Sequence, residues 1–125
     1  MSALKAEDLL GAWSLLTYVK MRDGEIVGYP LSETPRGLLL YTPDGQMGAY
    51  LQNGLNPPLV AYGGRWSIRG DVVLHHVSFN SDNERAGTVL ERTARFESGD
   101  LILQTPRKQT AKGLEWLELR WTRAP

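Results

Sequence analysis

Two histidines, His75 and His76, sit side by side in Leu74-His75-His76-Val77. Histidine titrates near neutral pH, which suits it to acid–base work, and it is also a common metal ligand. Adjacent positions in a β-strand point to opposite faces. If this stretch is a strand, the two rings cannot chelate one metal together, and only one faces an interior. From Val72 to Phe79 the odd positions are Val73, His75, Val77 and Phe79, and the even positions are Val72, Leu74, His76 and Ser78. The odd set is apolar apart from His75 and ends in an aromatic ring. It is read as the inner face. His76 then faces outward and is expected to be dispensable for ligand binding.

The next stretch supplies a partner. Thr88, Leu90, Arg92, Ala94 and Phe96 alternate with Val89, Glu91, Thr93 and Arg95. The first set reads as the inner face, with Arg92 as its one charge. A hairpin that pairs Phe79 with Thr88 places His75 opposite Arg92, about 5 Å apart at Cβ. A two-residue slip makes them diagonal, still within an arginine's reach. An interior arginine stays charged and needs a carboxylate, carbonyls, water or a ligand anion. Carbonyls, Glu115 or water could satisfy Arg92 with no ligand, and His75 could be a core histidine bonded to a carbonyl or a tyrosine. The functional reading makes both a polar anchor in an apolar pocket, walled by Val73, Val77, Phe79 and Leu90, with Tyr41 and Met47 beside them.

These residues need strands to position them, and the chain is rich in strand signals. Ala3 to Leu10 alone reads as helical, with Gly11 as its cap. Strands are expected at Trp13–Arg22, Glu25–Val27, Gly37–Tyr41, Gln46–Leu51, Ala61–Ile68, Val72–Phe79, Thr88–Phe96, Leu101–Thr105 and Glu115–Arg123. Loops are expected at Asn53–Pro58, Asn80–Arg85 and Pro106–Gly113. Turn signals such as Asp23-Gly24, Pro43-Asp44-Gly45 and Ser98-Gly99 separate the strands at short spacing. Arg69-Gly70-Asp71 is a turn of the same kind. The pattern is that of an antiparallel sandwich or barrel, and alternation alone does not separate the two.

Composition narrows the function. The 125 residues fit one domain, 1–125. Lys and Arg total 14, as do Asp and Glu, and no basic cluster offers a footprint for nucleic acid. The absence of cysteine excludes disulfides, thiolate metal sites and a Cys nucleophile. Gly63-Gly64 precedes a strand rather than a helix, so it is no phosphate loop. No cofactor and no metal site is expected. The first residues lack the apolar run of a signal peptide, and no stretch is long and apolar enough to span a bilayer as a helix. The expectation is a cytoplasmic protein with no membrane partner.

Several segments carry a resemblance. Gly11-Ala12-Trp13 opening the first strand resembles the lipocalin signature, and Leu119-Arg120-Trp121-Thr122-Arg123 resembles the closing strand of such barrels. Gly37-Leu38-Leu39-Leu40-Tyr41-Thr42-Pro43-Asp44-Gly45-Gln46-Met47, Tyr62-Gly63-Gly64-Arg65-Trp66 and Gly70-Asp71-Val72-Val73-Leu74-His75-His76-Val77 are similar to the bacterial and fungal lipocalin-like domain family. The resemblance spans roughly Leu9 to Arg123. It implies a single all-β, antiparallel up-and-down barrel of eight or nine strands with a short N-terminal helix. It also implies a base closed by a late arginine over Trp13, Arg123 first and Arg120 second. The expected function is binding of a small, mostly apolar or amphipathic molecule in the lumen. The alternatives are a cofactor-free isomerase or cyclase with His75 as acid/base, and a structural module that forms a homodimer through Val72, Leu74 and Val89.

Overall fold

The computed structural model describes residues 4–81 and 87–125, leaving aside the side chains of residues 57 and 58. Among the described residues one short helix, α1 (Ala6–Leu9), precedes ten strands: β1 (Gly11–Arg22), β2 (Glu25–Gly28), β3 (Arg36–Tyr41), β4 (Gln46–Asn53), β5 (Asn56–Arg69), β6 (Val72–Asn80), β7 (Val89–Glu97), β8 (Asp100–Gln104), β9 (Lys108–Thr110) and β10 (Gly113–Arg123). Eight of them, β1-β3-β4-β5-β6-β7-β8-β10, pair in that order, and β10 returns to β1 to close an antiparallel barrel. Closure leaves these eight without a free edge, which an open sheet would have to protect. β1 and β10 each take two partners along one edge. β3 pairs with Gly11–Ser14 and β2 with Lys20–Arg22. β8 pairs with Glu118–Trp121 and β9 with Gly113–Glu115.

The hairpins form where the sequence supplies positive φ. Asp23 and Gly24 have φ of 49° and 88°, and Ser98 and Gly99 have 52° and 85°. Two consecutive left-handed residues make the turn whose twist matches that of the flanking strands.

Four expectations change. The helix is four residues long rather than Ala3 to Leu10, and Gly11 begins β1 instead of capping it. Asn53–Pro58 is mostly not a loop, because β4 runs to Asn53 and β5 starts at Asn56. Pro106–Gly113 contains the short strand β9; the closed barrel itself has eight strands, within the expected eight or nine, with β2 and β9 as additions to it. The expected Asn80–Arg85 loop is only partly in view. Asn80 ends β6, and residues 82–86 lie outside the described residues.

The base of the barrel is packed solid. Leu9, Trp13, Leu39, Leu101 and Trp121 are each at most 1% exposed. α1 plugs this end with Leu9, and its carbonyl accepts the Trp13 Nε1–H at 2.9 Å. The guanidinium of Arg123 lies 3.9 Å from the Trp13 ring centroid. It also donates to the carbonyls of Leu10 and Asp8, tying the helix to the last strand. Arg120, the second candidate, instead faces Asp100, with Nε 2.8 Å from a carboxylate oxygen. Arg123→Ala is therefore expected to cost about 1–2 kcal/mol, combining a cation–π contact with hydrogen bonds to exposed carbonyls. Urea melts check this. A loss of only a few tenths would show that Arg123 does not hold the base.

Above the base the lumen is open. A bulge at Leu16, between the pairs Leu15–Trp121 and Thr17–Arg120, switches the inward face of β1 from odd to even positions. Trp13 and Leu15 fill the base, whereas Tyr18 lines a cavity of about 500 Å³.

Candidate functional site

Three neighbouring strands build the polar part of the lumen. β5 presents Tyr62, β6 presents His75 and β7 presents Arg92. The β6–β7 register pairs His75 with Leu90 and Val73 with Arg92. The expected pairing of Phe79 with Thr88 is thus off by two residues, and His75 and Arg92 are diagonal neighbours rather than directly opposed.

His75 is 1% exposed and bonded through both ring nitrogens. Nε2 lies 2.7 Å from the Tyr41 hydroxyl and Nδ1 lies 2.8 Å from the Tyr62 hydroxyl. Burial lowers its pKa to about 3, with smaller contributions in the same direction from the charges of Arg92 and His76. The ring is therefore neutral at physiological pH. Burial likewise holds the Tyr41 phenol well above its usual value; Tyr62 adds to the rise and Arg92 opposes it. Tyr41 also packs against Trp66, with ring centroids 4.8 Å apart, and Trp66 donates to the Thr42 carbonyl at 3.1 Å. His76 points to the other face, where it meets the Ser67 hydroxyl at 2.9 Å.

Arg92 lines the cavity and donates to the Glu91 carbonyl at 2.9 Å. Among the described residues no carboxylate lies within ion-pair distance of it. Glu115, a possible partner on sequence grounds, is taken by Arg22 at 2.7 Å and Lys20 at 3.6 Å.

The other expected wall residues separate into three groups. Leu90 lines the cavity. Val73 and Met47 are buried in the core beneath it, and Val77 is buried on the same strand as His75. Phe79 is outside the barrel and 74% exposed, contrary to the expectation of an inner-face position. The reason is a bulge in β6: Gly64 pairs with Val77 and Gly63 with Phe79, so Ser78 is an extra residue that reverses the alternation. Phe96, also expected inside, is 38% exposed at the base, with its ring 6.3 Å from that of Trp13. Of the outward residues considered for a homodimer, Val89 is exposed, while Val72 and Leu74 are half-buried.

On sequence grounds Tyr62 is one of several aromatic residues, with Tyr18, Tyr29, Tyr41, Tyr50, Trp66 and Trp116, that could line a pocket, each as readily a packing residue; the structure makes it the cavity-facing end of the hydrogen-bonded chain. The signal was present: Val60, Tyr62, Trp66 and Ile68 share one face of β5, and Trp66 marks that face as inner. Tyr18, Leu31, Leu51, Leu117 and Leu119 supply the apolar wall. Among the described residues no group of three His, Cys, Asp or Glu side chains could hold a metal ion.

A family described as a lipocalin-like domain matches residues 10–59 and 52–124. The chain belongs to the lipocalin-like domain family. Comparison with curated proteins gives no match. In this lipocalin-like barrel a filled base and an open lumen coexist, and the Tyr62–His75–Arg92 cluster lies at their boundary. Tyr62 both packs against the core and lines the cavity.

Proposed function

We propose that the protein binds a small, mostly apolar molecule in the barrel lumen, with Arg92 and the Tyr62–His75 pair as its polar anchor. The observation that carries this reading is the cavity of about 500 Å³, walled by leucines and lined also by Tyr62 and Arg92. Ligand sites generally measure about 300–1,000 Å³ and combine apolar walls with a few placed polar groups. A lumen-facing arginine with no carboxylate beside it among the described residues favours a ligand that brings an acceptor oxygen. His75 serves as a positioning residue. It is sealed beneath Tyr62, and with a pKa of about 3 it neither reaches a ligand nor exchanges protons effectively at neutral pH. An isomerase or cyclase with His75 as acid/base therefore draws no support from the geometry.

Decanoate tests the anchor. Arg92→Leu is expected to weaken its binding by tenfold or more in calorimetric titration. The melting temperature should stay unchanged or rise, because among the described residues no carboxylate is left unpaired. Unchanged affinity would remove Arg92 from the site.

A further inference from the structure

The outer face of β3–β6 is apolar where the solvated side of an antiparallel sheet is ordinarily polar. Cross-strand pairing sets its rows. Leu38, Tyr50 and Ala61 are opposed on β3, β4 and β5, and Gly48, Gly63 and Phe79 on β4, β5 and β6. Leu59 adjoins Leu38 and Tyr50. Leu38, Tyr50, Leu59 and Phe79 are 37%, 42%, 53% and 74% exposed. The bulge in β6 is what turns Phe79 onto this face. Gly48 lets the Tyr50 ring lie across β4, with its hydroxyl 3.2 Å from where a Cβ at Gly48 would be. A Cβ at Gly63 would meet only backbone atoms of Met47 and Gly48 within 4 Å. An open slot therefore lies over Gly63, between the Tyr50 and Phe79 side chains, within a trough of about 460 Å³. A protruding ring stands directly beside a hole that a ring can enter.

We propose that this face is a twofold self-association surface, on which Phe79 of each copy enters the slot over Gly63 of the other. A twofold contact needs one self-complementary patch, and a knob adjacent to a slot supplies it. Charge points to the same occupant. Among the described residues no charged side chain lines the trough, so two copies meet there without like-charge repulsion. Arg36 stands at the edge of the face, outside the trough. The outer face of β7, β8 and β10 differs, because Arg95, Glu97, Asp100, Glu118 and Arg120 form ion pairs across it. Area agrees as well. The four exposed apolar side chains present roughly 400–500 Å² per copy. Two copies together then bury about 1,000 Å², the lower limit of a specific interface, so the dimer is weak and reversible. The surface lies on the outside of the barrel wall and stands independently of the lumen-binding reading.

Sedimentation velocity of the full chain, from about 5 µM to about 500 µM, tests it. The sedimentation coefficient is expected to rise with concentration from the monomer value to that of a dimer. Phe79→Asp should weaken this association tenfold or more, because it places a charge at the centre of an apolar contact. Phe79 is 74% exposed in the single chain, so its loss leaves the fold intact, and circular dichroism verifies this. Ile26→Asp is the control. Ile26 is 54% exposed on β2, outside the trough, and its replacement should leave the association unchanged. A chain that stays monomeric throughout overturns the proposal and leaves the trough to a foreign partner. A dimer that survives Phe79→Asp overturns it too. Association that continues past the dimer would mean a head-to-tail contact and would overturn the twofold surface.

Discussion

Gly64→Ala is expected to destabilise the barrel by about 3 kcal/mol or more, at the upper end of what overpacking usually costs. Gly64 has an ordinary backbone conformation, so the penalty is one of space and not of φ. A Cβ there would lie 2.9 Å from the Ser78 nitrogen and 3.1 Å from the His76 carbonyl carbon, and closer still to the His76 oxygen. All three are backbone atoms of β6, so no rotamer change relieves the clash. The strand must move at the bulge where Gly64 pairs with Val77. That bulge turns Phe79 outward and keeps its ring out of the lumen. Gly28 is the control, since a Cβ there meets nothing within 4 Å and its φ is not positive. Gly28→Ala should be neutral or slightly stabilising. Thermal melts of the two variants decide the matter. For a domain of this size, 3 kcal/mol corresponds to a fall of about 10 °C or more. A Gly64→Ala protein melting within two degrees of the parent would show that β5 and β6 do not approach each other in this way.

Much of the barrel was legible because its signals are local. Asp23-Gly24 and Ser98-Gly99 announce their turns through residues that tolerate positive φ, and the alternation from Val72 to Val77 places His75 inside and His76 outside. What escaped depends on partners distant in sequence or on an extra residue. Pro57 and Pro58 argue against a strand by composition, yet β5 begins before them at Asn56, because β4 pairs with Asn56 and again from Leu59 onward, with a register shift between the two where neither proline is paired. Phe79 continues a perfect odd-position pattern, and one bulge opposite Gly64 sends it outside. Sequence places His75 and Arg92 on facing strands but leaves open whether they are directly opposed or two residues offset, which is set by the whole β6–β7 ladder. Tyr41 and Tyr62 lie 34 and 13 residues from His75, and only barrel closure brings both hydroxyls to one ring.

Between pH 8 and pH 5 the protein is expected to lose about 2 kcal/mol of stability through His75 alone. The ordinary histidine pKa is 6.5, and burial lowers that of His75 to about 3. In this window the unfolded chain takes up a proton that the folded chain refuses, so acid favours unfolding. Stability is fully present above pH 6.5 and declines by about 1.4 kcal/mol per unit below it, until the folded ring itself titrates near 3. Stopping at pH 5 keeps the carboxylates out of the measurement. Glu97, Asp100 and Glu115 are all held below their usual values, foremost by hydrogen bonds from Arg95, Arg120 and Arg22 respectively, so their losses come at lower pH. His75→Gln should flatten the acid limb to a few tenths of a kcal/mol, because glutamine has no proton to gain while its amide offers one donor and one acceptor to the two tyrosines. His75→Leu should flatten it as well but lower stability at every pH by about 1–3 kcal/mol, leaving the buried Tyr41 hydroxyl without an acceptor. His76→Gln, on the outer face, should keep the limb intact. Urea melts across the window measure all three, and a His75→Gln protein with the parent's acid limb would mean that His75 is not sealed between the two phenols.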